Sequence, residues 1–230
     1  MKIERMLCFC MALIFAIYLL LSHASALENQ AYYHGRREEK KIALTFDDGP
    51  HPRYTKEILR ILDKYGVKAT FFVIGENVEI YKEAARLLFA SENEIGNHTY
   101  SHPHMKAINA EELKEELEKT KTAVWGLGGR LSSLFRPPEG KLSAEEAALI
   151  AKEGYKTVLW SIDTLDWAHN TPSAICKTVI SSLRGGDILL FHDFVVSPNT
   201  TITALEQLIP QLQKSGYQFV TVSELLNFEF

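Results

Sequence analysis

The sequence predicts an α/β fold, a (β/α) barrel of about seven parallel strands in a single domain. Three observations predict it. From Lys41 onward, short β-rich segments alternate with segments whose apolar residues recur at helical spacing, and such alternation builds a parallel sheet. The 230 residues suit one domain with a substantial core, undivided by a linker or a repeat period. Residue types able to do chemistry gather just after the strand-like segments, the end at which barrels of this kind hold their reactive groups.

The first 26 residues are of a different kind. Lys2 and Arg5 precede an unbroken apolar run, Met6 to Leu21, and Ser22-His23-Ala24-Ser25-Ala26 follows it. This is the layout of a secretory signal cleaved after Ala26. The alternative is an uncleaved anchor, although the 16 apolar residues fall short of the ~20 that span a bilayer. Either way the remainder is expected to be secreted or held at the cell envelope, meeting a membrane only through this segment. Residues 27–40 read as a polar linker, and 41–230 as the folded domain.

Within that domain, Ile42–Phe46 reads as the first strand. Ile58, Leu59, Ile61 and Leu62 mark a helix over Thr55–Tyr65 that stops at Gly66. Ala69–Ile74 is a strand, Asn77–Ala90 a helix and Glu94–Gly96 a short strand. Asn109 caps a charged helix, Ala110–Trp125, ending in a glycine-rich turn. The remaining strands are Leu134–Phe135, Thr157–Trp160, Asp187–Phe191 and Gln218–Val222. Helices over Ser143–Glu153, Pro172–Leu183 and Thr203–Lys214 lie between or after them.

Composition narrows the function. Apolar residues make up 46% and charged residues 23%, the balance of a folded protein rather than a disordered one. Net charge is −4 and no Lys/Arg cluster is interleaved with aromatics, so nucleic acid is not an expected partner. Cys8 and Cys10 lie in the apolar run, leaving Cys176 alone in the rest, and one thiol makes no internal disulfide. Nothing in the pattern specifies an oligomeric state.

Five clusters follow strand-like segments: Thr45–Pro50 (TFDDGP), Asn97–His102 (NHTYSH), Arg136–Gly140 (RPPEG), Asp163–Trp167 (DTLDW) and Phe191–Asp193 (FHD). Each has a structural explanation when taken alone. Asp, Gly and Pro form turns, and a His ending a strand is often a hydrogen-bonded structural residue. Together on one rim they point to a site. His98 and His102 are four apart, the spacing that puts two imidazoles on one face of a helical turn. A carboxylate from Asp47 or Asp48 completes two nitrogens and an oxygen, a set suited to Zn²⁺, Co²⁺ or another divalent ion with a position left for water. The other aspartate is then placed as general base, and the cation offsets the repulsion between the pair. His104 is not needed as a ligand, Asp163 reads as a loop hydrogen-bonding residue, and Asp193 as an anchor for the chain after His192.

These motifs, in this order, resemble the NodB-homology polysaccharide deacetylases, carbohydrate esterase family 4, over nearly all of Ile42–Leu226. The resemblance implies a distorted (β/α) barrel and a metal-dependent hydrolase removing N-acetyl groups from a polysaccharide. The expected substrate is N-acetylglucosamine in peptidoglycan or chitin-type oligomers. It implies that Asp47 is the general base, oriented by Arg136. Asp48, His98 and His102 would hold the metal. His192 would be the general acid, paired with Asp166. The backbone N–H of Glu139 would donate to the oxyanion, and Trp167 and Leu189 would wall the acetyl pocket. The third motif usually reads R-P-P-Y-G, and Glu139 here replaces the tyrosine. Its side chain could tune substrate choice, by discouraging acidic sugars or binding a cationic deacetylated neighbour, or it could face solvent. Two rival functions are an O-deacetylase of acetylated xylan and a glycan-binding protein without turnover. The second has no use for both a base and an acid.

Overall fold

The computed structural model describes residues 31–168, 170–194 and 200–228, so the signal reading of residues 1–26 lies outside it. The strands are β1 (Lys41–Asp47), β2 (Thr70–Val73), β3 (Glu94–Asn97), β4 (Leu134–Phe135), β5 (Lys156–Thr157), β6 (Ile162–Asp163), β7 (Ile188–His192) and β8 (Gln218–Phe219). The helices are α1 (Tyr54–Tyr65), α2 (Gly75–Ile80), α3 (Lys82–Phe89), α4 (Ala110–Gly126), α5 (Ala144–Lys152), α6 (Pro172–Ser182), α7 (Thr200–Lys214) and α8 (Val222–Leu226).

Seven strands run in the order β5-β4-β3-β2-β1-β7-β6, every ladder parallel, and β8 pairs with the start of β1. Among the described residues no ladder joins β5 to β6, so the sheet curls into a half-barrel without closing. The fold class expected from the sequence therefore stands. β1 is an interior strand, and Ile42 to Asp47 are all buried, as a strand covered on both faces requires. On one face Phe46 stacks on Phe71 with ring centroids 4.9 Å apart.

Local signals explain most helix ends. α1 buries Ile58, Ile61 and Leu62, and Gly66 closes it in the left-handed region with φ 61°. Asn109 with Glu112, Ser143 with Glu146 and Thr221 with Glu224 form capping boxes on α4, α5 and α8.

Four expectations need correction. The strand expected over Gln218–Val222 ends at Phe219, and Val222 already opens α8. The helix expected over Asn77–Ala90 is two helices, α2 and α3, broken at Tyr81, whose φ −105° and ψ 53° are not helical. The strand expected over Thr157–Trp160 ends at Thr157. The carbonyls of Val158 and Leu159 accept from Arg136 Nε (3.1 Å) and Nη2 (3.0 Å), and the chain resumes as a further strand, β6. Residues 31–40 are no free tether. Tyr32 exchanges backbone bonds with Thr157 and Leu159 (2.9 and 2.8 Å), and Gly35 N–H donates to Gly186 O at 2.7 Å. Arg37 pairs with the buried Asp187 carboxylate, and the Tyr32 ring meets Phe228 edge-on at 5.0 Å. Gly185 makes this docking possible, since a Cβ there would lie 2.1 Å from Glu39 O.

Candidate active site

Parallel registry brings the motifs together. Asp47 and His192 are Cα partners on β1 and β7, Val73 and Asn97 on β2 and β3, and Asn97 and Phe135 on β3 and β4. His98 and Arg136 thus follow directly from strand ends that flank the same rim.

Arg136 is the largest fully buried side chain. A guanidinium with no access to water must be paired and hydrogen-bonded. Its Nη1 donates to Asp47 Oδ1 and to Thr45 Oγ1, both at 2.7 Å, and the Val158 and Leu159 carbonyls take its other N–H groups. Phe72 lies against its face, 4.1 Å from ring centroid to Cζ. The pair fixes the Asp47 carboxylate by one oxygen and leaves Oδ2 toward His98 Nε2, 3.9 Å away.

Asp48 leaves the strand with φ 75°, a left-handed conformation uncommon for a non-glycine residue. Asn77 Nδ2 donates to its backbone oxygen at 2.7 Å. Behind the turn, the Asp193 carboxyl packs where a Cβ on Gly49 would lie, 2.1 Å from Asp193 Oδ2, so only glycine fits. Burial pushes Asp193 up to about 7, against a hydrogen bond from the Thr55 hydroxyl.

His98 Nδ1 lies 2.7 Å from Arg136 O, and because a carbonyl only accepts, this nitrogen carries the proton. Its Nε2 then points a lone pair at Asp48 Oδ1, 3.3 Å away, and His102 Nε2 lies 3.4 Å from the same oxygen. Asp48 Oδ1 is buried without a hydrogen-bond partner. Burial raises the Asp48 carboxyl, but His98, His192 and His102 outweigh it and hold the group below its ordinary value. Burial lowers His98, and Asp47, Asp48 and the Arg136 carbonyl reverse this and hold it above its ordinary value. Burial, then the nearby His98, pushes His102 down. The three ligand atoms lie within 4.8 Å of one another. An orphaned carboxylate oxygen facing two imidazole nitrogens is the donor set a divalent cation fills, so these residues fit a metal.

The histidine pair reaches this geometry without a helix, against expectation. Residues 98–104 are irregular, with Thr99 at φ 68° and His102 at φ 53°. The turn is pinned by Thr99 N–H donating to Asn97 Oδ1 and by Tyr100 and Ser101 N–H donating to Glu116 on α4.

On the other side, His192 Nδ1 lies 2.8 Å from Asp166 Oδ1, leaving Nε2 free. Asp166 Oδ2 accepts from the His192 backbone N–H (2.9 Å) and from Thr201 Oγ1 on α7 (2.7 Å). Burial pushes His192 down, but the hydrogen bond and charge of Asp166, with Asp47 and Asp48, raise it to about 9. Thr201 was not read from the sequence, and no local pattern marks it.

A cavity of about 530 Å³ joins these groups; Asp47, Asp48, His98, His102, Glu139, Trp167 and His192 line it. Leu189 is a correction. Side chains alternate along a strand, so Leu189 enters the core with Phe191 while Leu190 lines the cavity beside His192. Trp160, read only as a strand end, also lines it and covers Gly140, where a Cβ would come within 2.5 Å of the indole. Glu139 sits in left-handed backbone at φ 57°.

The family described as polysaccharide deacetylase matches residues 34–158. A peptidoglycan-N-acetylglucosamine deacetylase of Bacillus cereus is 38% identical over 193 residues, 83% of this chain and 90% of that protein. Among solved structures, a peptidoglycan N-acetylglucosamine deacetylase in complex with 4-naphthalen-1-yl-N-oxidanyl-benzamide has a TM-score of 0.84 at 33% identity, covering 89% of this chain and 97% of its own. A wild-type CE4 family pseudoenzyme from Bacillus anthracis has a TM-score of 0.79 at 31% identity, covering 86% and 69%. The chain therefore belongs to the polysaccharide deacetylase family, carbohydrate esterase family 4, and is a carbohydrate deacetylase.

Proposed function

We propose that the chain removes N-acetyl groups from N-acetylglucosamine units of a cell-wall polysaccharide outside the cytoplasm, peptidoglycan first and chitin-type oligomers second. The products are acetate and a free amino sugar. The observation that carries this reading is the convergence of two carboxylates, two imidazoles and a third, separately held imidazole on one cavity.

Asp48, His98 and His102 would hold a divalent metal, with Zn²⁺ ahead of Co²⁺ and other ions. When bound, the cation supplies Lewis acidity that polarises an acetyl carbonyl and acidifies water. The remaining work belongs to the chain. Asp47 Oδ2 takes a proton from the attacking water, while Arg136 keeps the other oxygen, and hence the carboxylate's aim, fixed. The Glu139 backbone N–H donates to the oxyanion that forms. His192 Nε2 protonates the departing nitrogen, and Asp166 at Nδ1 keeps the imidazolium populated. Trp167 and Leu190 flank the acetyl methyl.

The raised His192 supports an amide over an ester substrate. An amine leaves only once protonated, whereas an ester oxygen needs less help, and a group held at about 9 is charged at neutral pH. The test is acetate release from N-acetylglucosamine oligomers, peptidoglycan and acetylated xylan, with and without a chelator. The N-acetylated polymers are expected to turn over, to stop after metal removal and to recover with a divalent ion. Turnover of xylan alone, or full activity in thoroughly metal-free protein, contradicts the reading. No acetate from any polymer leaves glycan binding as the function.

A further inference from the structure

The Glu139 carboxylate, on an exposed side chain, is already engaged at both oxygens. Its Oε1 lies 2.9 Å from His104 Nδ1, and its Oε2 accepts from Lys141 Nζ at 2.7 Å. A cationic glucosamine would have to compete with these partners for it. Of the two, Lys141 lines the cavity and His104 does not. Lys141 is also the one lysine or arginine among the described residues lining that cavity. An ammonium has three N–H donors, so one bond to Glu139 leaves two for a ligand. The side chain is 64% exposed, placing that charge at the mouth rather than at the reacting atoms. The cavity's other carboxylates are Asp47 and Asp48 at the catalytic centre and Asp163, whose Oδ1 accepts from Leu165 N–H.

We propose that Lys141 reads a carboxylate on the sugar beside the one being deacetylated, and that Glu139 is the bracket that holds the ammonium at the rim. This rests on the deacetylase reading and assigns its substrate: a glycan with anionic neighbours, such as muramoyl units, rather than a neutral chitin-type chain. The replacement of tyrosine by Glu139 then serves charge selection through its partner and leaves the backbone N–H of the same residue to the chemistry.

The test compares kcat/KM on two oligomers with and without Lys141→Met. One is a neutral N-acetylglucosamine oligomer, the other a peptide-free glycan whose muramoyl units carry free lactyl carboxylates. An exposed pair contributes little, so the expected fall in the carboxylate-to-neutral ratio is about threefold to fivefold. The fall should come through KM, be restored by Lys141→Arg, and fade in high salt as screening predicts. A peptide-bearing glycan, with the lactyl group amidated, separates the two sources of carboxylate: a retained Lys141 effect there assigns the stem carboxylates, a lost effect the lactyl group. Acetate release from both oligomers with an unchanged ratio overturns this inference alone. Absence of acetate from both oligomers overturns the deacetylase reading with it. Glu139→Gln offers an independent check: a weakened but not inverted preference for the carboxylated oligomer supports Lys141 as the reader and Glu139 as its bracket, and an unchanged preference removes the bracket. A selective loss on oligomers containing free glucosamine makes Glu139 the reader and overturns the proposal.

Discussion

Asp47 and Asp48 are adjacent in sequence and differ in surroundings because the backbone changes hand between them. Asp47 closes a buried strand beside the Arg136 guanidinium; Asp48, at φ 75°, turns its carboxylate toward His98 and His102. The division of roles predicts that Asp47→Asn lowers kcat by about 10²–10⁴, the usual contribution of a positioned base, while metal analysis still finds one ion per chain. Loss of the ion instead would exchange the two roles. At His192 the sign of the pH effect follows from Asp166. The pair raises the imidazole from 6.5 to about 9, so its stabilisation is complete below about 6.5 and disappears as pH rises through about 9. A bound cation opposes that rise by its own charge. Asp166→Asn removes the main support of the imidazolium. The basic limb of the kcat/KM profile is therefore expected to move down by a unit or more, costing most activity near pH 8–9 and least near pH 6. A limb that stays in place would remove His192 from the acid role.

At the scale of elements, β7 separates stability from chemistry in adjacent residues. Leu189→Ala, in the core, is expected to cost about 2–5 kcal/mol in urea unfolding with little change in kcat/KM of the folded protein. Leu190→Ala, on the cavity wall, is expected to alter KM and admit a propionyl group better than the native chain does. The reverse pattern would mean that the strand's register is misassigned. The same element shows what the sequence made legible. The ends of β1 and β7 could be read because an apolar run stops at residues that no core tolerates unpaired. Leu189 was misplaced because an all-apolar strand buried on both faces carries no alternation to show which side chain faces the cavity. The His98 and His102 pair was legible by spacing but for the wrong reason. Its irregular loop depends on Asn97 and Glu116, the second a partner fifteen to sixteen residues away. The early end of β5 was unreadable for a similar reason, since Arg136 takes two carbonyls more than twenty residues downstream. Contacts at such separation leave no local pattern.

For the whole molecule, the order β5-β4-β3-β2-β1-β7-β6 puts β1 in the interior of the sheet, so every candidate motif follows a strand within a few places of it. Residues 31–40 bind β5 to the start of β7 across the open side of the sheet. Removing residues 27–40 is therefore expected to lower stability by about 2–5 kcal/mol relative to a chain beginning at Leu27, given ~0.5–1.5 kcal/mol for each hydrogen bond lost. Equal urea midpoints for the two would restore the reading of residues 27–40 as a linker. The central claim is that one cation unites Asp48, His98 and His102, with Asp47 and His192 on either side of the acetyl group. Its most direct test is anomalous diffraction from crystals grown with Zn²⁺. The account predicts one strong peak bonded to Asp48 Oδ1, His98 Nε2 and His102 Nε2, with Asp47 outside the bonded set. A peak at another site, or one bonded by Asp47 in place of Asp48, would contradict it.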